Sequence, residues 1–257
     1  MNSKKVYYCE DSLEGIFSAV YDAWSDRNGH ANNKICIISG EDLGDMELFT
    51  EYIYVKNSEE KIGKVMKAIY NKISEEAYEL ICGASCSCDI TRGDAIYRFL
   101  IMGFSMGSGV VDCLYDKNVM KIFELNRNVS NEAHHFKGFL RFQELKEGIL
   151  FAKIAPKNDI IRLLAPHFSD RLSQENFIIY DESRNTAIIH RMADHWFYTN
   201  ADLLDLEKIK EMTEKEQNID NLWKAFFNSV SIKERENKGL QRNNLPLRFR
   251  GNMPEFR

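Results

Sequence analysis

The chain has 257 residues, a formal net charge of −5, 44% apolar and 12% aromatic residues. That apolar content excludes global disorder, the length admits one domain or two, and the acidic balance argues against a general nucleic-acid coat protein, whose affinity would come from neutralising phosphates. No apolar run approaches the roughly 20 residues that span a bilayer, and the N-terminus lacks the apolar core and cleavage site of a secretory leader, so the expected setting is the cytoplasm, with no membrane partner. In that compartment the cysteines Cys9, Cys36, Cys82, Cys86, Cys88 and Cys113 stay thiols.

Lys5 to Cys9 reads as a strand. Leu13, Ile16, Phe17, Val20 and Trp24 then fall at helical spacing behind Asp11 or Ser12 as a cap. Ile35–Ile38 and Glu51–Val55 read as two more short strands. From Ser58 to about Arg127 four apolar stripes follow at helical spacing: Ile62, Val65, Met66 and Ile69; Ala77, Leu80 and Ile81; Ile96, Phe99, Leu100 and Met102; Val119, Ile122, Phe123 and Leu125. The period then changes. Phe139 to Leu145 alternates and Ile149–Ile154 follows a Lys-Glu-Gly turn, which predicts a hairpin. Asn158 or Asp159 can cap a helix carrying Ile160, Ile161, Leu163, Leu164, Phe168 and Leu172. Phe177–Tyr180 and Thr186–His190 form a second hairpin about a polar turn. Beyond Asp202 another stripe runs through Ile209, Met212, Ile219, Leu222, Trp223, Phe226, Phe227 and Val230. The Pro-, Gly- and Asn-rich end, 243–256, is too broken for a long element, yet its large side chains suit docking.

The expected class is α+β: an antiparallel sheet, two hairpins around a helix, packed with a mainly helical N-terminal half and C-terminal helices. The chain reads as a single unit over 1–257, or as a mainly helical subdomain with short strands over 1–127 and a β-β-α-β-β subdomain with C-terminal helices and a basic tail over 128–257.

Motifs for common chemistry are sparse. Cys82-x3-Cys86-x-Cys88 lacks a fourth ligand at metal-like spacing, so ordinary thiols are expected, with no metal site and no cofactor. Gly103-x3-Gly107-x-Gly109 matches no phosphate-loop fingerprint and suits a turn between helices. Charge is unevenly spread. Lys and Arg number 13 against 20 Asp and Glu in residues 1–126, 8 against 5 in 127–171, 6 against 11 in 172–232, and 7 against 3 in 233–257. Two basic segments on an acidic chain suit a polyanion, although surface charge fluctuates along any chain. Within them Lys137, Phe139 and Arg141 would share one strand face, and His167 and Arg171 one helical face. Arginine offers paired donors to phosphate and histidine titrates near neutrality; the plainer alternative is local ion pairing, for instance Asp181 with Arg184. Arg235, Asn237, Gln241, Arg242, Arg248 and Arg250 interleave with Trp223, Phe227 and Phe249, a mixture that can grip a single strand or, for the aromatics, simply fill a core.

Several stretches are specific together: His134-His135-Phe136-Lys137-Gly138-Phe139-Leu140-Arg141-Phe142, His167-Phe168-Ser169-Asp170-Arg171, Ile179-Tyr180-Asp181-Glu182-Ser183-Arg184, Leu222-Trp223-x3-Phe227-x4-Ile232-x2-Arg235-x-Asn237, and Pro246-x-Arg248-Phe249-x3-Met253-Pro254-Glu255-Phe256. They resemble a bacterial DNA-metabolism and DNA-repair family encoded beside a radical-SAM protein related to spore photoproduct lyase. A similar domain occurs fused to a uracil-DNA-glycosylase-like domain in some relatives, and Leu13–Val20 resembles the family more weakly. Where relatives are expected to carry His-Arg, this chain has His134-His135.

The resemblance implies DNA repair or modification with DNA and a radical-SAM protein as partners, and carries over no catalytic assignment. The first reading is therefore a nucleic-acid-binding protein using Lys137, Arg141, Arg171, Arg184, Arg235, Asn237, Arg248 and Arg250, with His167 beside them. A second is an enzyme acting on damaged or modified nucleic acid, with His135 or His167 as acid or base beside Asp181. A third is a structural partner of the radical-SAM protein that touches DNA little.

Overall fold

The computed structural model describes residues 3–26, 28–38, 47–145, 148–203, 237–251 and 253. It is a mixed α and β protein that divides into two compact units, Met1–Ser130 and Asn131–Arg257.

The first unit begins with β1 (Lys4–Cys9), α1 (Leu13–Ser25), β2 (Asn33–Ile37) and β3 (Thr50–Tyr54). All three strands are parallel, in the order β2-β1-β3. The central strand β1 buries Val6, Tyr7, Tyr8 and Cys9 without alternation, as a parallel strand covered on both faces must. Ser12 starts α1 by accepting from the Gly15 N–H at 2.9 Å. Gly15 itself has no room for a side chain, since a Cβ there would lie 2.4 Å from the Glu10 carbonyl oxygen.

Four helices follow in the order of the four apolar stripes: α2 (Glu59–Lys72), α3 (Glu75–Ser85), α4 (Arg92–Met106) and α5 (Lys117–Phe139). Their buried residues, among them Ile69, Ile81, Ile96, Phe99, Leu100 and Ile122, join Phe17, Tyr7 and Ile35 in one core. Each such side chain contributes about 1.5–3 kcal/mol by leaving water. Gly107, at φ +69°, ends α4, so the glycine run is a helix stop.

The second unit holds the five-stranded sheet β4-β5-β6-β7-β8. Its strands are β4 (Gln143–Glu144), β5 (Ile149–Ile154), β6 (Asn176–Asp181), β7 (Thr186–His190) and β8 (Trp196–Asn200), with α6 (Ile161–Arg171) between β5 and β6. Neighbours are antiparallel except β5 and β6, which are parallel because α6 carries the chain back to the same end of the sheet. Phe168, Leu164 and Ile161 of α6 are buried, as are Phe177, Ile179 and Ile188 of the sheet.

Three expectations need correction here. The alternating stretch from Phe139 is not a strand at its start: α5 runs on to Phe139, because Val129, Ala133 and Phe136 continue its buried stripe. Lys137 and Phe139 are therefore helical and share no strand face with Arg141, and the first hairpin keeps only Gln143 and Glu144 opposite β5. Neither Asn158 nor Asp159 caps α6, whose N-cap position is Ile160 without a side-chain bond; the buried Asn158 amide is spent on Glu132 instead. Strand β8 has no counterpart in the sequence reading. The expected helix beyond Asp202, with Trp223 and Phe227, lies outside the described residues.

The chain's end resumes as α7 (Lys238–Asn244) and the single turn α8 (Leu247–Arg250). Phe249 and Met253 are buried, so this broken segment does dock.

Candidate nucleic-acid interface

The C-terminal end of α5 organises the basic residues of the second unit. Its inner face presents Phe136 and Phe139 to Phe249 of α8, at ring separations of 5.0 and 5.5 Å. His135 completes the nest, nearly parallel to Phe139 at 5.6 Å and 5.3 Å from Phe249. These rings anchor the C-terminal segment, and an ion pair sets it in place. The Arg248 guanidinium lies 3.2 Å from Glu132, a carboxylate only 2% exposed on the apolar face of α5.

Glu132 is a junction. Besides Arg248 it accepts the Lys157 N–H at 3.2 Å, the Asn158 N–H at 2.8 Å and the Asn158 side-chain amide at 2.7 Å. A buried carboxylate is tolerated only when its lone pairs are met in this way. One acid thereby fixes both the loop after β5 and the docked tail. Sequence reasoning passed over it, yet a signal was there: Glu132 occupies an apolar-stripe position, three residues after Val129 and four before Phe136.

Beside this junction Arg141, Lys153 and Arg248 line a cleft with Phe139, Leu140 and Phe249. Its volume is about 30 Å³, room for a water or a phosphate oxygen and far too little to enclose a base. Arg141 is held by the carbonyls of Gly138 and Leu140, at 3.1 and 3.4 Å, and Lys153 by Glu182 at 2.5 Å. Lys153 had not been singled out from the sequence, because an alternating strand gives no sign of which neighbours its cations meet.

A second cluster is joined by charge: Lys137 of α5 and Arg171 of α6 both act on the His167 ring of α6. Burial first, then the charges of Lys137 and Arg171, lower the His167 pKa against the opposing charge of Asp170, which keeps the ring neutral near pH 7. Its Nε2 is buried without a hydrogen-bond partner. Lys137 and Arg171 form no ion pair among the described residues, unlike Lys153 and Arg248 of the cleft.

The remaining candidates are spent locally. Arg184 donates to Asp181 at 3.2 Å, to the Pro156 carbonyl at 3.3 Å and to the Lys157 carbonyl, so the local ion pair is the observed arrangement. Asp181 is fully buried and also accepts the Ser183 N–H at 2.9 Å; burial raises its pKa against the pull of Arg184. Arg250 donates to the carbonyls of Leu245 and Gln241, and Asn237 caps α7 through the Leu240 N–H at 3.0 Å. Arg235 lies outside the described residues. No hydrogen bond, ion pair or ring contact joins any two of His135, His167 and Asp181: each has its own surroundings on a different element.

Among the described residues no group of three or more His, Cys, Asp or Glu could hold a metal ion. Burial raises the Cys82 pKa, and the Cys86 thiol donates to the Cys82 carbonyl at 3.4 Å. No described helix is long and apolar enough to cross a membrane.

No curated protein matches the chain. A solved structure of a DHH domain, described as a member of a family of ribosomal proteins, is similar over 74% of each chain at 10% identity and a TM-score of 0.32, values from which neither a shared fold nor a shared function follows. Residues 91–255, well over half of the chain and including α5, the five-stranded sheet and the docked tail, match the family described as a domain of unknown function, DUF4130. The chain belongs to the DUF4130 family.

Proposed function

We propose that this protein binds nucleic acid through its second unit and serves DNA repair or modification beside a radical-SAM protein. One observation carries the binding: Lys137 and Arg171, drawn from two helices, both act on the His167 ring and form no ion pair among the described residues, Asp170 being the one carboxylate felt at that ring. Arg141, Lys153 and Arg248 beside the edges of an aromatic nest add a second point of contact. Phosphate oxygens suit both places, and the small cleft excludes reading an extruded base there. The radical-SAM partner rests on the sequence resemblance of residues 134–256 alone. Because Arg184 and Arg250 serve protein groups elsewhere, and Arg141, Lys153 and Arg248 are partly engaged by protein groups at the cleft, the reading rests first on Lys137 and Arg171 beside His167.

Fluorescence anisotropy of labelled single-stranded and duplex DNA tests it. Binding at about 50 mM salt should weaken steeply by about 200 mM, and Lys137→Ala with Arg171→Ala should reduce the slope of log affinity against log salt by about two. Absence of binding at the lower salt, or an unchanged slope in the double variant, overturns the proposal.

A further inference from the structure

The first unit carries an open groove of about 470 Å³, within the range that holds small ligands. Tyr21 and Trp24 of α1 form one wall, Ala68 of α2 the other, and Phe104 of α4 closes it. Along α2 the small Ala68 lies between the bulkier Val65 and Lys72 in the lining. Trp24 is 38% exposed even though it packs edge-on to Phe104 at 5.0 Å and is backed by His30 at 4.3 Å. Held on two sides, its indole offers a rigid apolar surface at little entropic cost on binding.

The lining is one-signed: it includes Lys64 and Lys72 and no carboxylate. Lys64 is engaged by Glu60 at 2.6 Å and lies 5.4 Å from the Tyr21 ring centre. Lys72, two turns further along α2, has no ion-pair partner among the described residues.

We propose that this groove binds a planar aromatic anion of about mononucleotide size, its ring packed on Trp24 and Phe104 over Ala68 and its anionic group on Lys72. The aromatic surface selects the ring, and the one-signed rim selects the charge. This site shares no residue with the interface proposed above and stands or falls separately.

Titration calorimetry of the full chain with adenosine 5′-monophosphate as the probe tests the proposal. The nucleotide should bind saturably, adenosine about tenfold more weakly, and inorganic phosphate should not compete. Lys72→Ala should weaken the nucleotide about tenfold, and Ala68→Leu, which fills the groove, should abolish binding. Lys67→Ala, exposed on α2 outside the lining, should change nothing. Absence of saturable binding at millimolar nucleotide, parental affinity in Lys72→Ala, or competition by phosphate as strong as the nucleotide's own overturns it. The Lys72 variant decides the matter even where Ala68→Leu fails to fold.

Discussion

Removing the Glu132 carboxylate should do more damage than removing any cation around it. In Glu132→Ala three inward-facing amide N–H groups and the Arg248 guanidinium lose their acceptor at once. Water can reach Arg248, which is 43% exposed, so its loss adds little. The Asn158 donors are buried with the acid, and stranding buried polar groups costs about 1–3 kcal/mol each. With partial relaxation the total comes to about 3–5 kcal/mol, the usual cost of breaking a buried charge network from one side. Arg248→Ala leaves Glu132 with its three amides and should cost only about 1 kcal/mol. Urea unfolding followed by circular dichroism gives both values, and amide exchange at Asn158 reads the local effect: about 3 kcal/mol corresponds to a loss of protection of about 150-fold. Equal small losses in the two variants, or unchanged protection at Asn158, would refute the idea that this acid holds the loop and the tail together.

Two further outcomes follow from the same geometry. The His167 pKa is lowered on folding, so the folded state resists its protonation; the stability this ring contributes is complete above about pH 6.5 and is lost as pH falls below that value and through the folded-state pKa. His167→Gln should flatten the acid side of a plot of unfolding midpoint against pH, and an unaltered acid slope would count against it. Gly15→Ala should destabilise the first unit by about 1–3 kcal/mol in thermal unfolding, because the added methyl meets the Glu10 backbone and not a side chain that can turn away; a neutral substitution would show that the loop before α1 yields easily.

Periodicity was a good guide wherever burial followed a single face. The stripes of α2, α3, α4 and the start of α5, the strands β1, β2, β3, β6 and β7, and the docking of Phe249 and Met253 were all legible, since each depends on neighbours a few residues away. The reading failed where a local pattern had two solutions. Phe139 to Leu145 alternates like a strand, but Phe136 and Phe139 also continue a helical stripe, and packing against Phe249, more than one hundred residues on, favours the helix. The basic residues show the same division. Their presence is plain in the sequence, while their availability is not: Arg184 and Arg248 are bound to Asp181 and Glu132, whereas Lys137 and Arg171 form no ion pair among the described residues.

The order of amino acids by itself determined the mixed α and β class, most of the helices and strands and the two basic stretches, because propensity, capping and apolar spacing act over short range. The tertiary structure alone decided that β1, β2 and β3 run parallel, that β5 and β6 do so across α6, that Glu132 ties a loop to the tail, and which of the described cations find an acid. Strand direction and charge pairing depend on residues brought together from distant parts of the chain, and such partners leave no periodic mark in either stretch.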